Sequence, residues 1–297
     1  MNTKVKVPIL FIIFNRFQTT EKVFETIRKY QPRELFIAAD GPRKDKPGEK
    51  ERCEEVKKIV ENIDWLCDVK KLYRKNNLGC KLAVSGAIDW FFENVEKGII
   101  LEDDCLPSTS FFRFCEEMLE KYKNDERIFT ISGDKFICGK VPDSYYFSRY
   151  VHLWGWATWR RAWKKYDVNM NNLKDISEIN IPNNTFLERP FWENTFKSVF
   201  SGQVDTWDYQ WVYTQFKFRG LSICPSTNLV KNIGFGKNAT HTKVNTVVPD
   251  KKEIVFPLNH PKEIMVNKIF DTETIKDTIG VNLKSVIYQY IKLFNHV

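Results

Sequence analysis

Residues 98–108 read GIILEDDCLPS, and the fold is decided there. Gly98–Leu101 is a short apolar run of the kind that fills a strand buried on both faces. It runs straight into Glu102, Asp103 and Asp104, with Pro107 soon after. Three adjacent carboxylates repel one another, so a strand gains no stability by ending on them. Such a cluster offers oxygen ligands to a hard cation, Mg²⁺ or Mn²⁺, which keeps waters and shares phosphate oxygens. The plainer alternative is a solvated acidic turn that caps a helix beginning near Ser108.

Upstream, strand and helix patterns alternate. Val7–Phe14 reads as a strand, Thr19–Tyr30 as a helix with Val23, Phe24 and Ile27 on one side, and Glu34–Ala39 as a second strand. Asp40-Gly41-Pro42 is a turn signal that stops it. A charged helix over Lys50–Ile63, a strand over Cys67–Tyr73 and a helix over Gly79–Asn94 lead back to Gly98–Leu101. This rhythm predicts an α/β fold with a mostly parallel central sheet flanked by helices. Ligands of such sheets sit beyond the carboxyl ends of the strands, where Arg16, Asp40 and the acidic triplet all fall.

Downstream, Ser110–Tyr122 reads as a helix and Arg127–Ser132 as a strand. From about residue 140 the alternation weakens and aromatics crowd in, as in HLWGWATWRRAW (152–163) and TWDYQWVY (206–213). Bland core packing accounts for most of these rings. With no repeat or low-complexity linker, residues 1–260 read as one domain with halves at about 1–140 and 141–260, followed by a helical tail, 261–297. In the tail, Leu283, Val286, Ile287 and Tyr290 share a helix face. That face is expected to dock on its own domain or on a twin subunit as a homodimer, with a peripheral membrane contact as the lesser alternative.

Lys+Arg 46 against Asp+Glu 38 gives a formal charge of +8, which favours anionic partners without choosing among them. The basic residues are spread rather than striped and no nucleic-acid motif is present, so nucleic acid is not the expected partner. Seven scattered cysteines without a C-x-x-C pair suit a reducing cytoplasm. The apolar run Val7–Phe14 is too short for a leader and lacks a cleavage site, and no stretch reaches membrane-span length. The expected location is cytoplasmic, with peripheral attachment at the inner membrane face as an option.

In order and spacing, PILFIIFNR (8–16), FIAADG (36–41), NLGCKLAVSGAIDWFF (77–92), ILEDDCLPSTSFF (100–112), WDYQW (207–211) and NIGFGKNATHT (232–242) form one set. Together they resemble the GT-A glycosyltransferases, and most of all the N-acetylglucosaminyltransferase that initiates complex N-glycan branching and its bacterial relatives. The resemblance implies a Rossmann-like nucleotide-diphospho-sugar transferase fold. It also implies a metal-dependent, inverting transfer from a nucleoside-diphosphate sugar, UDP-linked by preference, to a hydroxyl of a glycan or lipid-linked glycan. Bacterial surface polysaccharide synthesis is the expected setting. The resemblance sets Glu102 near the donor ribose, Asp103 near the donor sugar and Asp104 on the metal. Asp40 would face the base or ribose, and Arg16 the nucleotide. Lys81 would reach a phosphate or the base, an ordinary solvated lysine being the alternative.

The resemblance also makes Asp208 the general base, with Asp205 in reserve; capping of the helix that starts there is compatible with that role. Trp207 is the expected sugar-stacking ring. In the glycine-containing loop, Gly234 and Gly236 allow close backbone approach, and Lys237 offsets phosphate charge. His241 is either a second metal ligand or an ordinary histidine. Two other functions compete. A nucleotidyltransferase that forms nucleotide sugars needs a glycine-rich basic loop where Asn15-Arg16-Phe17-Gln18 stands. A non-enzymatic binder of anionic nucleic acid or membrane rests on net charge alone.

Overall fold

The computed structural model describes residues 6–171, 173–235 and 249–294. The first part runs β1 (Ile9–Ile13), α1 (Phe17–Tyr30), β2 (Glu34–Ala39), α2 (Glu49–Glu61), β3 (Asp68–Tyr73), α3 (Gly79–Asn94) and β4 (Lys97–Glu102). Then come β5 (Cys105–Pro107), α4 (Thr109–Lys121), β6 (Ile128–Ser132), β7 (Tyr145–Ser148), β8 (Trp156–Trp159) and α5 (Arg160–Trp163). The chain continues through α6 (Glu188–Phe200), α7 (Asp208–Lys217), β9 (Leu221–Pro225), β10 (Val230–Asn232), α8 (Lys268–Glu273) and α9 (Leu283–Phe294).

One sheet takes eight strands in the order β3-β2-β1-β4-β8-β6-β9-β7. The pairs β1–β2, β1–β4, β2–β3 and β6–β9 are parallel, while β8 and β7 run against their neighbours. The protein is therefore α/β, with a large, mostly parallel sheet between helices. Period-two alternation explains why β1 is apolar throughout. Ile9, Phe11 and Ile13 enter a core with Val23, Ile27, Phe112 and Met118, while Leu10 enters the opposite core with Phe36, Ile88, Phe91 and Trp156. Each large apolar side chain so buried contributes about 1.5–3 kcal/mol.

The aromatic-rich second half extends this same sheet. Trp156–Trp159 is β8, inserted between β4 and β6 and buried at every residue. Both of its faces are covered, so no polar alternation marks it as a strand. The segment after residue 260 is stitched to the rest. Val266 bridges Phe147, the Asp271 carboxyl accepts from Ser148 Oγ (2.6 Å) and Arg149 N (3.1 Å), and Gln289 Nε2 donates to Thr195 Oγ1 on α6 (2.8 Å). On α9, Val286 turns inward whereas Leu283, Ile287 and Tyr288 stay exposed. Among the described residues, no helix is long and apolar enough to cross a membrane.

Candidate functional site

β1, β2, β3, β4 and β6 point one way, and their carboxyl ends open into a cleft of about 1020 Å³. Its walls include Arg16, Asp40, Glu102, Asp103, Asp104, Asp205, Trp207 and Asp208. Parallel pairing of β1 with β4 sets Ile12 opposite Glu102, so the residues that follow each strand meet. The Arg16 guanidinium bridges Asp103 and Asp104, with Nη1 2.7 Å from Asp104 Oδ2, and Phe14 N donates to Asp103 Oδ2 at 3.2 Å.

One cation against three carboxylates leaves a surplus of negative charge. Burial first, then repulsion from the neighbouring acids, pushes the carboxyl groups of Glu102 and Asp103 upward; Arg16 opposes this rise. A hard divalent cation would relieve the same strain, so the oxygen donors present fit one chemically. Among the described residues, no group of three or more ligands could enclose an ion, so most of its shell would come from elsewhere. The antiparallel pair β5–β10 lays the next loop over this cluster, where Ile233 N donates to Asp104 O at 2.8 Å. A Cβ on Gly234 would collide with the Asp104 carboxylate and lie 2.7 Å from Arg16 Nη1.

Asp40 lines the cleft, but its oxygens are engaged by Gly41 N (2.9 Å), Asn77 Nδ2 (2.9 Å) and Leu78 N (3.0 Å), which ties β2 to the start of α3. Lys81 does not line the cleft. The first turns of α3 present Cys80, Ala83 and Val84 instead, at helical spacing, and Lys81 sits about 100° round from Cys80. Asp205, the reserve base, is occupied otherwise. Its carboxylate accepts from Cys80 N and Lys81 N, each at 3.2 Å, and so caps α3 from 125 residues away. Asp205→Ala is expected to cost about 1 kcal/mol and lower Tm by ~2 °C, checked by calorimetry.

Asp208 opens α7. Its Oδ1 accepts from Tyr209 N (2.8 Å) and from Thr206 Oγ1, while Oδ2 takes no hydrogen bond among the described residues. One oxygen therefore holds a backbone N–H of the first helical turn and the other remains for chemistry. The Asp208 charge adds to the upward push on Glu102, so the two act in one field. Trp207, the ring expected to stack on a sugar, lines the cleft but is 4% exposed, with one face on Trp156 at 5.8 Å, so most of the ring is held by the core. The half-buried rings in the cleft include Phe14 and Tyr209, and also Phe136, Trp154 and Phe235, which pack edge to face at 4.8 and 5.4 Å. Gly236, Lys237 and His241 lie outside the described residues.

Sequence reasoning missed several wall residues: Arg43, Arg74, Asp134 and His152. Arg74 follows β3 and Asp134 follows β6 by two residues, so the strand-end rule already contained the signal. His152 is 8% exposed against Phe136, and burial pushes its imidazole down to about 4. The ring stays neutral in the fold, whereas the unfolded chain takes up a proton below about 6.5. Stability is thus full above that pH and is lost as pH falls towards about 4. Urea unfolding is expected to show a loss of about 2 kcal/mol from pH 7 to 5 that a His152→Gln variant lacks. Comparing the two chains removes the opposing contribution of Asp271, whose carboxyl burial raises to about 6.

No protein-family model matches the chain. No curated protein matches it in sequence. Among solved structures it is similar to S. aureus TarS 1–349, with TM-score 0.42 and 11% identity over 76% of this chain and 59% of that one. It is similar also to HddC from Yersinia pseudotuberculosis, with TM-score 0.34 and 10% identity over 54% of this chain and 80% of that one. A third is UDP-glucose pyrophosphorylase complexed with UDP-glucose, with TM-score 0.27 and 10% identity over 48% of this chain and 62% of that one. At these identities and scores the likenesses carry no information about the chemistry of this chain.

Proposed function

We propose that the protein is a metal-dependent, inverting glycosyltransferase of GT-A type. It moves a sugar from a nucleoside diphosphate, UDP in the first instance, to a hydroxyl of a glycan or lipid-linked glycan in bacterial surface polysaccharide synthesis. One observation carries the reading: a surplus of carboxylate at the end of β4 shares a cleft with the unengaged Oδ2 of Asp208. Asp104, supported by Glu102 and Asp103, would hold Mn²⁺ or Mg²⁺, which withdraws charge from a departing diphosphate.

The residues of this chain do the rest. Arg16 adds a fixed positive charge where the diphosphate would sit, and Arg43 and Arg74 line the β2–β3 side of the cleft, where the nucleoside would lie. Asp208 Oδ2 takes the acceptor proton as the hydroxyl oxygen bonds to the anomeric carbon. The bond to the diphosphate breaks on the opposite face and its electron pair leaves with the phosphate, so the configuration inverts. A nucleotidyltransferase is disfavoured locally, because β1 and α1 are joined by Phe14–Arg16 alone, too short a loop to wrap a triphosphate.

A thermal-shift screen of nucleotide sugars with and without Mn²⁺ tests the reading. A ligand at 100 times its Kd adds about 2.7 kcal/mol of stability, so Tm is expected to rise with a UDP-sugar and Mn²⁺ together. Indifference to every UDP-sugar at saturating Mn²⁺ would sink the proposal.

A further inference from the structure

Asp134 is 1% exposed and lines the cleft, yet its Oδ1 is buried with no hydrogen-bond partner among the described residues. No salt bridge reaches it there, and the adjacent Lys135 sends its ammonium to the Ile137 carbonyl at 2.7 Å. The backbone around it is pinned on both sides. Gly133 N donates to Gly155 O (2.9 Å), Leu229 N to Gly133 O (2.8 Å) and Lys135 N to Asn228 Oδ1 (2.9 Å). A Cβ on Gly133 would come within 2.5 Å of Gly155 O, so only glycine lets the chain lie this close. A buried, unpaired polar oxygen on a rigid frame costs stability, and a frame built to keep it there implies a partner.

The sheet gives its location. β6 and β4 are separated only by β8, so Asp134 stands two strand spacings, about 10 Å, along the edge from the acidic cluster. It lies on the side away from Arg43 and Arg74, which follow β2 and β3. Phe136, His152 and Trp154 line the same cleft, with Phe136 5.2 Å from His152 and 4.8 Å from Trp154. A carboxyl with a free oxygen that shares a cleft with aromatic rings offers the chemistry that seats a pyranose.

We infer that Asp134, in one cleft with Phe136, His152 and Trp154, is a sugar subsite that binds a hydroxyl or amide N–H of a hexopyranose. The inference deepens the glycosyltransferase reading, because the sugar belongs either to the donor or to the acceptor.

Saturation-transfer NMR with free glucose, galactose, N-acetylglucosamine and N-acetylgalactosamine, at high millimolar concentration and without nucleotide, tests it on the full chain. At least one sugar is expected to give a signal that Asp134→Ala lowers at least 10-fold, since an unpaired site loses its discrimination. Asp134→Leu keeps the volume without the polar atoms, is expected to do the same, and keeps the test standing if the alanine variant fails to fold. Only Oδ1 lacks a partner, since the carboxyl also meets the backbone N–H groups of Asp134 and Trp154, so the sugar signal rather than Tm reads the inference. A merely structural residue would lower Tm and leave the sugar signal alone. Displacement of the sugar by its UDP-linked form assigns the donor; persistence beside that form assigns the acceptor. No sugar signal in the wild type, or a signal intact in both variants, overturns the inference. Calorimetry with UDP and Mn²⁺ separates the two readings: UDP bound without an Asp134-dependent sugar sinks only the subsite, whereas sugar bound without UDP sinks the donor reading.

Discussion

Asp208→Asn is expected to lower sugar transfer by about 10²-fold or more while leaving donor binding and Tm nearly unchanged. The three readouts separate because the two carboxylate oxygens have different work. Oδ1 accepts from Tyr209 N in the first turn of α7, and an asparagine oxygen can do the same. The amide cannot accept a proton from an acceptor hydroxyl, so the base is lost and the bond to Tyr209 N is kept. Asp208→Ala removes both, and its Tm is expected to fall with a penalty of about 1 kcal/mol that the asparagine variant escapes. Initial rates with a UDP-sugar, Mn²⁺ and a glycan acceptor give the first number, and the thermal shift by UDP-sugar gives the second. Transfer at the wild-type rate in Asp208→Asn would reduce the residue to a structural contact of the first turn of α7.

How far the sequence reached can be traced to particular residues. Glu34–Ala39 and Gly79–Asn94 were legible to the residue, since Asp40-Gly41-Pro42 punctuates one and Gly79, at φ 78°, opens the other. Strand ends also led to Arg16, Asp40 and the acidic triplet, which the fold gathers in one cleft. The same rule, carried on to the residues just past β3 and β6, leads to Arg74 and Asp134. Pairing across long stretches was out of reach. Asp205 reads locally as a second acid beside Trp207, and only the folded chain shows its carboxylate on the backbone of Cys80 and Lys81. The packing of Trp207 was hidden for a related reason: a tryptophan's neighbours in sequence do not tell which side of the helix start its ring takes. Here that side is filled by Trp156, which arrives from β8. β8 itself was hidden because a strand covered on both faces shows aromatic density and no alternation.

Asp104→Ala is expected to abolish the Mn²⁺-dependent part of UDP binding, a loss of about 10²-fold or more at saturating metal. Without metal the sign is expected to reverse. The site carries more carboxylate than Arg16 offsets, and the Asp104 charge pushes both Glu102 and Asp103 upward. Removing it lessens the repulsion that a naked diphosphate meets, while Arg16 keeps its pairing with Asp103. UDP in EDTA is therefore expected to bind the variant at least as well as the wild type. Opposite responses to one substitution cannot come from misfolding, which would weaken binding under both conditions. They also distinguish a metal ligand from an acid that merely balances Arg16, since the latter would leave the ratio of affinities with and without Mn²⁺ unchanged. Calorimetric titration of both chains with UDP, in Mn²⁺ and in EDTA, reads that ratio directly. A ratio in Asp104→Ala equal to that of the wild type would move the cation away from the end of β4, and the glycosyltransferase reading would lose its electrostatic basis.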